Sequence, residues 1–459
     1  MGGYRNTLKK AVSLLTVAVL SFTILSGCSG SGSTSGPKPT DAAGSNVNDT
    51  AKDNTPKEKT EIVFWHSWGD GLGLDALAKI VDTYNATNDK NIFVNLSYVA
   101  SQKSGNTSTM EKLMAAVASG NPPEVALLDN FLIASWAQQG GLEALDGKIE
   151  TAGIDMSTFY DWAREGSYYK DSVYSIPYNG DSRALLYNKK MFEAAGLDPE
   201  NPPSTIDELT EAAKALTVKN GTTFDQVGFI PWQNAGKPIY TWGWSFGADF
   251  YDKENGVLTI ATEPTIEALQ WEYDFASSFG LEDFVNFASG LGTNAEDPFV
   301  TEKLAMCIRG SFDVATIHKY NPDLDFGIAP IPSKVEGQNI TWCGGWGLTI
   351  PKNAAKQEAA MDFIAYATGA EGQKIMSEVS GSFSSVPAVN AEVFANNEDF
   401  TVFTEMLNKA KVRPNVAVSQ ELWDGLNNVL DLTLHDKGTP EELLKELDTS
   451  MNEKLKGMK

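Results

Sequence analysis

Glu61–Trp65 (EIVFW) is an apolar run of strand length. Leu74, Leu77, Ala78, Val81 and Tyr84 follow at the spacing of one helix face. Ile92, Val94, Leu96 and Tyr98 then alternate with polar neighbours, which predicts a second strand. Met110, Leu113, Met114 and Val117 mark a second helix, stopped by Gly120 and Asn121-Pro122-Pro123. Val125–Leu128 (VALL) is a third strand. The order β-α-β-α-β predicts an α/β chain with a parallel sheet between helices. Such sheets bind ligands beyond the carboxyl ends of their strands. Those ends carry Trp65-His66-Ser67-Trp68 and Asp129-Asn130. Farther on, Thr205-Ile206-Asp207-Glu208 and Thr439-Pro440-Glu441-Glu442 fit capping boxes that open helices. Helical patterning dominates from Lys356 onward.

The first residues break this pattern. Arg5, Lys9 and Lys10 precede the apolar stretch Ala11–Leu25, which ends in Leu25-Ser26-Gly27-Cys28. Residues 1–27 read as a lipoprotein signal peptide, short and rich in Ser and Thr for a membrane span. Small residues before Cys28 resemble the bacterial lipobox, so Cys28 is the expected lipidation site. A diacylglyceryl group supplies two chains, enough for stable anchoring. Residues 28–60 then form a tether in which Val47 is the only branched aliphatic after Cys28. Its flexible span is roughly 30 Å. The expected location is the extracytoplasmic face of the cell membrane.

Length and charge narrow the class. The 459 residues suit two or three compact units. Asp and Glu number 60 against 36 Lys and Arg, a net charge of -24, which disfavours nucleic acid as a partner. Cys307 and Cys343, the cysteines besides Cys28, have neither a CxxC spacing nor a nearby His, so no metal site is expected.

Catalytic signals are thin. Gly69-Asp70-Gly71-Leu72-Gly73 lacks the G-x-G-x-x-G spacing of a dinucleotide loop. Gly243-Trp244-Ser245-Phe246-Gly247 matches G-x-S-x-G, with Ser245 as the nucleophile of a remote serine-hydrolase alternative. No oxyanion segment accompanies it, and a loop is expected after it. The chain is therefore read as a binding protein and not an enzyme, with no cofactor. Aromatic placement is the stronger signal. Trp65, Trp68, Tyr178, Trp232, Trp242, Trp244, Trp342 and Trp346 fall in segments that read as loops or strand ends. Flat rings flanked by polar side chains match the C–H faces and hydroxyl rims of sugars.

Met110–Asp129 (MEKLMAAVASGNPPEVALLD) resembles the signature of extracellular solute-binding protein family 1, to which the maltose-binding protein distantly belongs. Ile176-Pro177-Tyr178 through Leu186-Tyr187-Asn188-Lys189, Leu304–Ser311, Gly344–Pro351 and Pro440-Glu441-Glu442 echo the same family in the same order. The resemblance implies a two-lobed periplasmic-binding-protein-like α/β fold with a ligand cleft between the lobes. Three hinge crossovers are expected near Pro177–Gly180, Phe326–Pro330 and Tyr366–Glu371. Lobe one is then 61–178 plus 330–368, and lobe two 179–328 plus 370–459. This puts Cys307 and Cys343 in different lobes, as free thiols. The implied function is capture of a carbohydrate, an oligosaccharide, by a monomer that delivers it to the transmembrane permease subunits of an ABC importer. A glycerol phosphate diester, iron or a polyamine is the alternative solute. The implied ligand contacts are Trp65, His66, Trp68, Asp129, Asn130, Asp181, Phe312, Arg413 and Trp423, with Trp244 and Trp346 added from their positions. Phe312 stands where the maltose-binding protein has a Trp. Leu422, Leu426, Val429 and Leu430 form an apolar stripe, with Trp423 beside it near the helix start.

Overall fold

The computed structural model describes residues 59–99, 107–290, 292–335, 337–407 and 409–458. Cys28, the signal peptide and most of the tether lie outside the described residues. In the described residues no helix is long and apolar enough to cross a membrane.

The chain opens with β1 (Thr60–His66), α1 (Leu72–Thr87), β2 (Ile92–Tyr98), α2 (Thr107–Ala118) and β3 (Val125–Asp129), the order read from the pattern. It continues through β4 (Ile176–Gly180), β5 (Arg183–Asn188), α3 (Ile239–Ser245), α4 (Glu263–Phe279), β6 (Met306–Gly310), α5 (Ser311–Tyr320) and β7 (Phe326–Ala329). Then come β8 (Gly345–Thr349), α6 (Ala370–Ser380), β9 (Phe383–Ser384), α7 (Ser419–Leu434) and α8 (Pro440–Gly457), with further elements between. The first sheet has six strands in the order β9-β4-β8-β3-β1-β2. β1 pairs in parallel with β2 and β3. β8 runs antiparallel to β3 and β4, and β9 antiparallel to β4, so the sheet is mixed. The second sheet is antiparallel, in the order β6-β5-β7.

Each sheet has its own core. Ile62, Phe64, Leu77, Val81, Ile364 and Met376 pack around the first. Leu185, Leu186, Ile308 and Ala329 pack around the second. A third cluster joins α3, α4, α7 and α8 through Trp244, Leu269, Leu422 and Leu444. This is the two-lobed α/β arrangement.

The structure moves two boundaries from their expected places. α6 and β9, expected in lobe two, belong with the first sheet: Met376 lies in the same core as Ile62, and β9 forms the sheet edge. The helix pattern from Lys356 does not register this, because an amphipathic helix reads alike against either core. Cys343 also departs from its assigned lobe and packs in the same cluster as Cys307. Both are buried free thiols. Burial pushes the Cys307 thiol up to about 12, so thiolate chemistry is suppressed.

Ser245 lies inside α3, fully buried, rather than on an exposed strand-to-helix turn. The G-x-S-x-G match is therefore part of a packed helix, where a nucleophile elbow needs an exposed hydroxyl.

Glu272 on α4 is the least expected core residue. Ala268, Leu269, Phe275 and Ala276, three and four positions away on the same helix face, are all buried. Glu272 is itself 0% exposed, and neither carboxylate oxygen has a hydrogen-bond partner. Burial pushes its pKa well above the ordinary carboxylate value. The unfolded chain releases this proton near pH ~4.3, while the folded chain holds it to higher pH. The cost to stability is thus absent below that pH and grows as pH rises toward the folded value. Glu272→Leu should raise the melting temperature at pH 7 by a few degrees, with the gain shrinking toward pH 4. An equal gain at both pH values would contradict this account of Glu272.

Candidate ligand-binding site

The crossings between the two sheets lie side by side. The first runs from β4 through Asp181 to β5. The backbone N–H of Arg183 donates to Thr341 Oγ1 (2.7 Å), and Thr341 donates back to the Arg183 carbonyl (2.8 Å). Gly344 N–H donates to Asp181 Oδ1 (2.6 Å). Trp342–Cys343 in turn pairs in parallel with Lys411–Val412. Gly180 is required here by close approach: a Cβ on it would lie 2.1 Å from the Trp162 ring.

In front of these strands lies a cavity of about 830 Å³. Trp68, Asp129, Asp181, Phe312, Trp346, Arg413 and Trp423 all line it, so seven expected contacts are brought together. Trp68 meets Trp346 edge-on, with centroids 5.4 Å apart at 86°. Trp423, half-buried, packs between Phe131 (5.5 Å) and Tyr240 (6.3 Å). Phe312 is 40% exposed at the start of α5, an uncovered ring on the cavity wall.

Four expected contacts lie elsewhere. Trp65 and His66 are on β1, where alternate residues face opposite sides of the sheet. Trp65 packs toward Leu113 and Trp136. His66 is 1% exposed beside Phe64 and Tyr98, and burial lowers its pKa. Trp244 is inside α3, stacked on Tyr240 at 5.3 Å, and belongs to the third core. Asn130 turns away to a second cavity of about 1200 Å³. That cavity shares Asp129, Gly345 and Arg413 with the first, as a common partition.

Charge around the first cavity is almost all committed. Arg413 donates to Asp129 (2.7 Å), Arg183 to Asp181 (3.0 Å) and Arg309 to Asp297 (2.6 Å). Burial raises the pKa of Asp181, against the pull of Arg183 and the Gly344 N–H. Arg183 lies 3.0 Å above the Trp342 ring, and Arg413 lies 4.0 Å from the Phe131 centroid. Five carboxylates (Asp70, Asp129, Asp181, Asp297, Asp313) face four cations (Lys237, Arg183, Arg309, Arg413) along the wall. Such a site offers fixed donors and acceptors without a net positive field.

Sequence reasoning did not place Arg183, Arg309, Asn179 and Gln233 in the wall. Arg183 carries a readable signal: it stands two residues after Asp181, on the same face of an extended chain. Asn415, beside Arg413, is spent on structure. Its Oδ1 accepts from Ala134 N–H (2.9 Å) and its amide donates to the Tyr168 carbonyl (3.0 Å).

Comparison with known proteins fits this geometry. The family profile "Bacterial extracellular solute-binding protein" matches residues 70–374. The chain belongs to this family. Its members are extracytoplasmic binding components of transport systems. The maltotriose-binding protein of Pyrococcus abyssi is 20% identical over 332 residues, 71% of this chain and 68% of that protein. The sn-glycerol-3-phosphate-binding periplasmic protein of Yersinia pseudotuberculosis is 26% identical, over 67% of this chain and 70% of that protein. Among solved structures, CpMnBP1 with mannobiose bound superposes with a TM-score of 0.77 at 28% identity, covering 85% of this chain and 99% of that one. CpMnBP1 is also solved with mannotriose bound.

The Asp129–Arg413 pair should behave as a buried ion pair. Asp129→Ala leaves the guanidinium unpaired and should lower stability to urea by about 3–5 kcal/mol. Adding Arg413→Met removes the stranded charge and should recover part of that loss. Strictly additive losses in the two variants would show that the pair is not coupled.

Proposed function

We propose that this chain captures a short manno-oligosaccharide between its two lobes and delivers it, chemically unchanged, to the membrane subunits of an ABC importer. The observation that carries the reading is the cavity between the sheets, aromatic on both walls, with Arg183, Arg309 and Arg413 already paired to carboxylates. Rings take the C–H faces of a sugar, and the ion pairs present donors and acceptors to its hydroxyls. CpMnBP1, with mannobiose and mannotriose bound, supports the manno configuration. A glycerol phosphate ligand is favoured by the sn-glycerol-3-phosphate-binding relatives of Yersinia pseudotuberculosis and Escherichia coli. It would need guanidinium groups left free for the anion. Iron is disfavoured, since in the described residues no group of three or more His, Cys, Asp or Glu side chains is placed to hold a metal.

In this reading lobe one comprises 61–178 and 344–384, lobe two the rest of the folded body, and ligand closes them by a hinge motion. The site contacts are Trp68, Asp129, Asp181, Phe312, Trp346, Arg413 and Trp423. The protein works as a monomer tethered through lipid on Cys28, and it catalyses no reaction.

Titration calorimetry tests the ligand. Mannobiose and mannotriose should bind, glycerol 3-phosphate should give no heat, and the recovered sugar should be unaltered. Trp423→Ala should weaken mannotriose binding by about thirtyfold. Binding of glycerol 3-phosphate with no response to either sugar would overturn the reading. The anchor has its own test: Cys28→Ala should move the protein from the membrane fraction to the soluble one. Retention of that variant in the membrane would reject lipidation at Cys28.

A further inference from the structure

Asn179 is the penultimate residue of β4 and lines the cavity. Its backbone is held on both sides, opposite Trp346 on β8 and Ser384 on β9. Tyr178, its neighbour, points into the first core and is 0% exposed. Alternation therefore turns Asn179 to the other face, where it lines the cavity. The side chain is 6% exposed, and Oδ1 has no hydrogen-bond partner.

A buried amide oxygen without a partner destabilises the folded protein, and most buried polar groups are satisfied. Here the strand is pinned by two neighbours, so the backbone is not free to shift and carry the amide to a partner. Two further orphan atoms belong to residues of the same cavity wall: Gln233 Oε1 from the second lobe and Nε of Arg413, the partner of Asp129. The wall thus carries two unmatched acceptors and one unmatched donor, a pattern complementary to adjacent sugar hydroxyls, which donate and accept at once.

We propose that Asn179 is a specificity-determining residue that binds a ligand hydroxyl at the hinge floor, at a standing cost to the empty protein. This rests on the carbohydrate reading above. Gln233 supplies the matching acceptor from the opposite lobe, so one ligand bridging both favours the closed arrangement. A residue kept for packing and a residue kept for ligand differ in the sign of two measurements. Removing a packing residue lowers the stability of the empty protein. Removing an unsatisfied amide leaves that stability unchanged or raises it, and weakens binding.

The experiment uses the full folded chain with β-1,4-linked mannobiose and cellobiose, the glucose disaccharide of the same linkage. Asn179→Leu keeps the side-chain bulk and removes the amide, and Asn179→Ala does so without added branching. Both variants should melt, without ligand, at or above the wild-type temperature. Both should bind mannobiose about tenfold more weakly than wild type. The preference for mannobiose over cellobiose should shrink in parallel. Wild-type binding of mannobiose with unchanged affinity in both variants would overturn the role of Asn179 and leave the carbohydrate reading standing. Loss of ligand-free stability in both variants would make Asn179 a structural residue. A wild-type chain that binds neither disaccharide would overturn the carbohydrate reading, and this inference with it.

Discussion

Asp129 and Arg413 are 284 residues apart in sequence and meet at 2.7 Å beneath the cavity. Asp129 ends β3, which pairs in parallel with β1 in the first sheet, and Arg413 follows Lys411–Val412, which pairs with Trp342–Cys343. Arg413 is 8% exposed, its guanidinium over Phe131 and within reach of the Trp342 and Trp423 rings. A buried pair of this kind is weak evidence for stability, because desolvation offsets its Coulombic gain. It is strong for geometry: neither charge tolerates losing its partner, so the strand end and the crossing must stay together. The same pair forms part of the partition between the two cavities. The Phe131, Trp342 and Trp423 rings are gathered around that fixed point.

The pairing also sets the chemistry of the cavity. An arginine held by a carboxylate still presents N–H groups, but its charge is neutralised locally. Three such pairs line one cavity, which gives directional hydrogen bonding without attraction for anions. Apolar ring faces supply the remaining surface. A neutral polyhydroxylated ligand with C–H faces matches both features, and an anionic one matches neither.

Much of this was legible in the chain. The opening β-α-β-α-β order followed from hydrophobic period alone, because strands buried on a central sheet and helices on its faces keep their periods cleanly. Asp129, Asp181, Trp346 and Arg413 line the first cavity because they lie at strand ends or in the connections beside them, where the backbone position dictates exposure to the cavity. Trp65 and His66 failed for the converse reason. They are still inside β1, so pleating assigns their faces before the loop begins. Trp244 failed because α3 is a helix buried on all seven positions, with no polar face to betray its period. Asn179 and Gln233 left no sequence signal. An unsatisfied amide is visible only when the absence of a partner is visible.

A crystal structure of the chain with mannotriose tests the central claim most directly. The account predicts the sugar in the cavity of about 830 Å³, its rings against Trp68, Trp346 or Trp423, with the Asp129–Arg413 pair intact beneath it. Sugar bound instead in the second cavity, or in the first with that pair broken to contact the ligand, would contradict it.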